Sequence, residues 1–270
     1  MKKKNEMQKK IASLSRVHSV CGNDGGMFEY ISSLLKDCCD SITLDSVGNI
    51  IATRKSSDKN AKTVALVASC DDYGFAVTSA DGFQKKLHPV GLKDKALSRL
   101  SGKTAYTLSG KKGILVPSGD ELLLESGEDI CEGDFVYPED APSFAEDKVY
   151  LFSSAAKIFS LCLMDLALRE GDLPVNLEIV FLSSHLLGAR GAKAAAYKIS
   201  ADEVIAFDFS CGSSARSGEG PVISLSDPGG FCDAEMTNSL KKCADDIGIK
   251  VQICAEIKKD RPSIILPFFA

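Results

Sequence analysis

No run in this 270-residue chain reaches the roughly 18 apolar residues that a helix needs to cross a bilayer, so no membrane partner is expected. The basic start, Met1-Lys2-Lys3-Lys4, is followed by no apolar core of a secretion signal, and the expectation is a cytoplasmic protein. Positive charge is not in surplus: the formal net charge is −5, which gives no reason to expect a nucleic-acid partner. Ten cysteines are present, yet no Cys-x-x-Cys pair occurs, so the closely spaced thiolates of a structural zinc site are missing. Several sit in apolar settings, as Cys162 does in Leu161-Cys162-Leu163-Met164, and are read as reduced thiols acting as small hydrophobes. Histidine is scarce, and His18 and His88 fall in a surface-like helix and a loop where solvated or packing roles are expected. No internal repeat or low-complexity tract appears. Hydrophobic residues make up 44% and charged residues 26%, the balance of a globular protein with enough material for one large or two smaller domains.

The patterning divides the chain into two kinds of segment. Residues 6–20 and 24–39 carry helical periodicity, with Phe28, Ile31, Leu34 and Leu35 expected on one face. Two short strands, 42–45 and 49–53, flank the turn Ser46-Val47-Gly48, and a buried strand is expected at 63–68. From 149 onward strands and helices alternate. Helices are expected at 153–169, 188–199 and 237–247, and strands at 177–182, 204–209 and 250–254. That alternation predicts an α/β sandwich with a mostly parallel central sheet covered on both faces. Residues 74–146 instead show short alternating stretches broken by glycine-rich turns, such as Thr104-Ala105-Tyr106-Thr107-Leu108 and Gly113-Ile114-Leu115-Val116, and no long helix. This predicts an inserted all-β unit at 74–148 between two parts of an α/β domain, 1–73 and 149–270.

In open α/β sheets, ligand sites gather at the carboxyl ends of strands. Four segments place polar residues there: Ala68-Ser69-Cys70-Asp71-Asp72-Tyr73-Gly74-Phe75, Leu151-Phe152-Ser153-Ser154-Ala155, Ser184-His185-Leu186-Leu187-Gly188-Ala189-Arg190-Gly191-Ala192-Lys193, and Ala206-Phe207-Asp208. Together with Asp45-x-x-Gly48-Asn49-Ile50-Ile51-Ala52, they resemble the co-catalytic di-zinc aminopeptidases, the glutamyl and leucyl, cellulase M-like enzymes that often form tetrahedral shells. The resemblance runs from about Leu14 to Asp246. It implies a zinc-peptidase-like three-layer sandwich with a β-barrel-like insert that makes oligomer contacts and shapes the substrate entrance.

The resemblance also implies two zinc or cobalt ions held by about five side chains, with a glutamate as base. Carried onto this chain, the first histidine ligand falls on Ser69, and the aspartate that orients it is kept as Asp71. The bridging aspartate falls on Ser153, with Ser154 after it. The glutamate base falls on His185 and the adjacent ligand glutamate on Leu186. Asp208 keeps its ligand position, and the final ligand histidine would follow Pro267-Phe268-Phe269-Ala270, where the sequence stops. Residues 261–267 resemble the family's last core strand, and Gly218-Glu219-Gly220-Pro221-Val222-Ile223 resembles a family loop of the form Gly-x-Gly-Pro-x-Ile.

One carboxylate cannot hold zinc against water, and carboxylates crowded without cations would repel, so replacement by hydroxyls and an alkyl chain is electrostatically coherent. Asp208 is then expected to be satisfied by Ser153 or Ser154. Other chemistries use the same residues. Cys70 with His185 would suggest a nucleophile pair, but strand alternation turns Cys70 away from Ser69 and Asp71. Ser69 with His185 and Asp71 or Asp208 lacks the glycines of a nucleophile elbow. His185, Asp208, Asp71 and Cys211 are a conceivable replacement metal set.

The expectation is therefore a relative of the aminopeptidases without resident metal or cofactor, acting as a non-catalytic binding or regulatory protein. Its pocket would comprise Ser69, Asp71, Ser153, Ser154, His185 and Asp208. Its partners would be peptides, copies of itself, or an active paralogue in a hetero-oligomer. The alternative is an active metallo-aminopeptidase with altered or partner-supplied ligands.

Overall fold

A computed structural model describes residues 2–21, 23, 25–92, 97–145, 148–151, 157–208, 215–227, 230–255, 264 and 266–269. The chain opens with helices α1 (Lys2–Leu14) and α2 (Gly25–Leu35). In α2 the spacing Met27, Ile31, Leu35 puts one buried residue on each turn of a single face. Leu34, expected on that face, is 39% exposed instead.

Strands β1 (Ser41–Leu44), β2 (Ile50–Arg54) and β3 (Thr63–Ser69) follow. After them come six strands rich in turns: β4 (Gly74–Asp81), β5 (Gln84–Val90), β6 (Thr104–Thr107), β7 (Lys112–Ser118), β8 (Glu121–Glu125) and β9 (Phe135–Pro138). They close into a barrel in the order β4-β5-β8-β7-β6-β9. Its inward residues, among them Phe75, Leu87, Leu100, Leu115, Leu124 and Val136, form a separate core. Closure leaves the barrel no free edge to pair with another chain.

A short ribbon, β10 (Ser143–Phe144) with β11 (Val149–Tyr150), leads to helix α3 (Lys157–Ala167). Strand β12 (Asn176–Leu182), helix α4 (Arg190–Ala196) and strand β13 (Glu203–Phe207) come next. Then follow β14 (Val222–Ser224), the hairpin of β15 (Ser226–Asp227) and β16 (Gly230–Phe231), helix α5 (Ala234–Asp246), and β17 (Gln252–Cys254), which pairs with β14. Helix α5 begins at Asp233, whose carboxylate accepts from the Met236 amide and caps the first turn.

The main sheet has the order β1-β2-β12-β3-β13. Its pairings correct the expectation of a mostly parallel sheet. β12–β3 and β3–β13 are parallel, but β1–β2 and β2–β12 are antiparallel. The cause is local: the Asp45 carboxylate accepts from the amides of Val47 and Asn49, tightening the turn so that β1 and β2 return as a hairpin.

Alternation along β3 explains the layers. Leu66 and Ala68 pack with Ile179 and Phe181 against α1, α2 and α3. Ala65 and Val67 face the other way, with Val180 and Leu182, onto Ala192 and Ala195 of α4. Three layers result, with the sheet in the middle. Strands β5 and β8 go beyond the strands that the sequence predicts. The Lys85-Lys86 charges and Pro89 of β5 hide an alternation that buries Lys85, Leu87 and Val90. The strand expected over 261–267 lies mostly outside the described residues, and Leu266–Phe269 form a 3-10 turn.

Candidate functional site

Register aligns the carboxyl ends of three strands. Leu182 of β12 lies opposite Ser69 of β3, and Phe207 of β13 lies opposite Ala68, so Asp208 follows at the same edge as Ser69. Beyond Leu182 the chain turns through 183–189 into α4. This loop carries two non-glycine residues with left-handed backbone, Ser184 at φ 52° and Ala189 at φ 55°. Such residues are uncommon, and strained backbone of this kind clusters where a site is held in one shape.

Asp71 holds it. The side chain is fully buried, and its two oxygens accept from the amide of Ser184 (2.9 Å), the amide of Leu186 (3.1 Å) and the thiol of Cys21 (2.9 Å). Asn49 holds it from the other side. Its side-chain carbonyl accepts from the Ser183 amide at 3.0 Å, and its NH2 donates to the Gly191 carbonyl and to Asp45. Gly191 approaches so closely that a Cβ there would lie 1.8 Å from the Ser183 carbonyl oxygen. The shared motif residues Asp45, Asn49, Asp71 and Gly191 are thus one hydrogen-bonded frame around the loop.

The positions assigned to ligands look different. Ser69 is buried, and its hydroxyl accepts from the Asp71 amide at 3.3 Å. The side chain of Leu186 packs with Val20, Cys21 and Val90, in apolar company. His185 is buried, and its carbonyl accepts from the Ala189 amide. Asp208 is half-buried beyond the end of β13. Cys70 faces the helical layer, as alternation predicts, and its thiol donates to the Leu182 carbonyl at 3.3 Å. Ser153, Ser154 and Cys211 lie outside the described residues.

A pair of zinc ions does not fit this donor set. Zinc takes thiolate, imidazole or carboxylate donors, about three from the protein per catalytic ion. Here a hydroxyl, an alkyl chain and one carboxylate stand at the described positions, and the oxygens of Asp71 already accept three hydrogen bonds. Among the described residues, no group of three His, Cys, Asp or Glu is arranged to hold a metal.

Asp72, one residue further, has a partner that no local sequence motif signals. It faces the helical layer, where the ammonium of Lys157 donates to it and to the Val17 carbonyl. Both side chains are completely buried. Asp72 Oδ2 also accepts from the Ser19 amide at 3.0 Å, while Oδ1 has no partner among the described residues. Burial pushes the Asp72 carboxyl above its ordinary range, and Lys157 only partly opposes this.

Nearby, His18 stacks on Tyr137 with ring centroids 3.4 Å apart. Its pKa is lowered from 6.5 to about 4, first by burial and then by the Lys157 charge, with Asp140 opposing. The native state therefore prefers neutral His18, and the stability this gives is lost as pH falls from 6.5 toward 4. Discounted for its partial exposure, the loss is about 1 kcal/mol. Urea midpoints at pH 7.5 and 5 should show a smaller drop for His18→Phe than for the parent. Equal drops would remove His18 as the source.

A protein-family model described as M42 glutamyl aminopeptidase matches residues 127–264. The glutamyl aminopeptidase of Lactococcus lactis is 25% identical over 287 residues, covering 92% of this chain and 81% of that protein. An aminopeptidase structure from the archaeon Desulfurococcus kamchatkensis superposes with a TM-score of 0.82 at 19% identity, over 96% of this chain and 81% of that one. The TET1 peptidase of Pyrococcus horikoshii, described as assembling into a tetrahedron or a large octahedral shell, has a TM-score of 0.79 at 19% identity. It is matched over 97% of this chain and 87% of its own. With the family model spanning half of its length, and the frame of Asp45, Asn49, Asp71 and Gly191 built from motif residues, this chain belongs to the M42 glutamyl aminopeptidase family.

Proposed function

We propose that this M42 member has lost metal-dependent peptide hydrolysis and serves as a non-catalytic binding or regulatory homologue of the aminopeptidases. The observation that carries this reading is the environment of Leu186. At the position where the family resemblance asks for a ligand carboxylate, an alkyl chain packs among Val20, Cys21 and Val90, while the amide of the same residue is tied to Asp71. A cation brought there would meet apolar atoms and a carboxylate already accepting three hydrogen bonds. Ser69 adds a hydroxyl whose oxygen is engaged by the Asp71 amide. Among the described residues, no three His, Cys, Asp or Glu side chains are grouped to hold the ion that lowers the pKa of a water, which supports this reading.

What remains is a strand-end loop held in one shape by Asp71 and Asn49, read here as a surface for peptide segments or chain termini. Assembly is part of the proposal. The TET1 relative forms closed shells, and this chain is read as joining copies of itself, or an active paralogue, through the same fold.

The test is direct. The full chain is incubated with zinc or cobalt, desalted, and analysed for bound metal and for release of p-nitroaniline from leucyl- and glutamyl-p-nitroanilide. The expected outcome is far less than one ion per chain and hydrolysis at the buffer rate. Near-stoichiometric metal with turnover would end this reading.

A further inference from the structure

The turn after α2 carries two cysteines in succession, Cys38 and Cys39, and neither belongs to the loop at Asp71. Asp40, which follows them, donates its amide to the Thr53 carbonyl at 2.8 Å, at the end of the sheet where β1 starts. Register puts Thr53 opposite Glu178, whereas the Asp71 loop leaves the other end, beyond Ser69 and Leu182. The pair is a separate place on the molecule.

Backbone bonds fix it on both sides. The Leu35 carbonyl accepts from the amides of Cys38 (3.1 Å) and Cys39 (3.0 Å), and the Asp40 carboxylate accepts from the Lys55 amide at 2.7 Å. In a strand, successive side chains would point to opposite faces. The turn instead brings the two sulfurs within 4.0 Å of each other. Both side chains are partly buried against the main core and partly open to solvent. The Cys38 thiol also donates to the Leu35 carbonyl at 3.3 Å.

That spacing selects a ligand. Sulfurs joined in a disulfide stand about 2.05 Å apart, so this is a pair of thiols. An atom bonded to both sulfurs at about 2.3 Å, with an angle near tetrahedral, spans roughly 3.8 Å between them. A metal ion in that place would require ionised thiols and further donors. Burial, and then the neighbouring Cys38, push the Cys39 thiol up to about 12 from its ordinary 9.0, with Arg54 opposing. Among the described residues, no third His, Cys, Asp or Glu completes a metal-holding group with the pair. A trivalent arsenic centre avoids both demands, because it joins two sulfurs and its own hydroxyls take up the thiol protons.

We propose that Cys38 and Cys39 form a binding site for monosubstituted trivalent arsenicals, R–As(OH)2, which close a ring across the two sulfurs. Two As–O bonds break and two As–S bonds form. Each thiol proton leaves with a hydroxyl as water, and arsenic stays trivalent, so no oxidant or reductant is needed.

The reduced full chain, freed of reductant, is titrated with phenylarsine oxide, whose hydrated form is such a species, and followed by intact mass and peptide mapping. One phenylarsenic group is expected on the segment holding residues 38–39, removed by dimercaptopropanol and retained in the same excess of mercaptoethanol. Cys38→Ser and Cys39→Ser should each weaken its retention at least about a hundredfold with an unchanged circular dichroism spectrum, because the second As–S bond is intramolecular only when both thiols are present. A synthetic peptide of residues 36–41 should bind at least about tenfold more weakly than the full chain, since it must first order the two thiols. Mapping the adduct on the parent chain gives a reading that does not depend on how the variants fold. No adduct at 38–39 overturns the proposal. So does its removal by mercaptoethanol, or equal retention in the variants or the peptide.

Discussion

Lys157→Met should destabilise the chain by about 3–5 kcal/mol, the cost of leaving a buried carboxylate without its cation. Asp72 and Lys157 are both fully buried, so water cannot take over when one partner goes. The Ser19 amide would remain as a donor to Asp72, but Oδ1 has no partner among the described residues even in the parent. The double variant Asp72→Asn, Lys157→Met should recover about 2 kcal/mol or more of the loss, because no ionised group then stays behind. The pH dependence fixes the sign. Burial already raises the Asp72 carboxyl above its ordinary 3.8, so the native state takes up this proton more readily than the unfolded chain does. Removing Lys157 enlarges that preference. The single variant should therefore be weakest at neutral pH and regain stability as pH falls toward the raised value. Unfolding is followed by circular dichroism, since the chain has no tryptophan. If Lys157→Met costs under about 1 kcal/mol, the pair is not the closed ion pair described above.

The second large effect concerns one methyl group. Gly191→Ala should cost about 3 kcal/mol or more, because the new Cβ would sit 1.8 Å from the Ser183 carbonyl oxygen and 2.6 Å from Asn49 Oδ1. Neither neighbour is a flexible side-chain end: one is backbone, and the other is held by hydrogen bonds to Ser183 and Gly191 themselves. Gly188→Ala makes the contrast. Gly188 has φ 84°, but nothing lies within 4 Å of its added Cβ, so only the backbone conformation is charged for, about 1 kcal/mol. Thermal unfolding of the two variants side by side should show a much larger drop at 191. Similar drops would mean that the Asn49–Gly191 approach is looser than described.

The sequence made the frame of the fold readable but not all of its members. Strand β3 is apolar on both faces, and the Asp45-x-x-Gly48-Asn49 turn announces itself by residue type, so both were found where expected. The barrel was visible as glycine-punctuated alternation, although β5 was masked by lysines that the fold places at a barrel end. Direction in the sheet was misjudged because alternating elements suggest parallel crossovers, whereas the β1–β2 hairpin turns back within five residues.

At the site, a local motif could identify Asp71 but not what it binds, since its donors at 21, 184 and 186 come from distant segments. The Asp72–Lys157 pair left a fainter trace. A lysine near the start of an otherwise apolar helix is a signal that one buried carboxylate is somewhere opposite, but the helix alone does not say where. The two residues stand 85 positions apart, and only the register of β3 against α3 joins them.

The loop between β12 and α4 is shaped by its own amides, bound to the side chains of Asp71 and Asn49, and by the smallness of Gly191. The side chain at 186 plays no part in that fastening; only its N–H does. What projects from this turn can therefore change while the amides that fasten it stay in place.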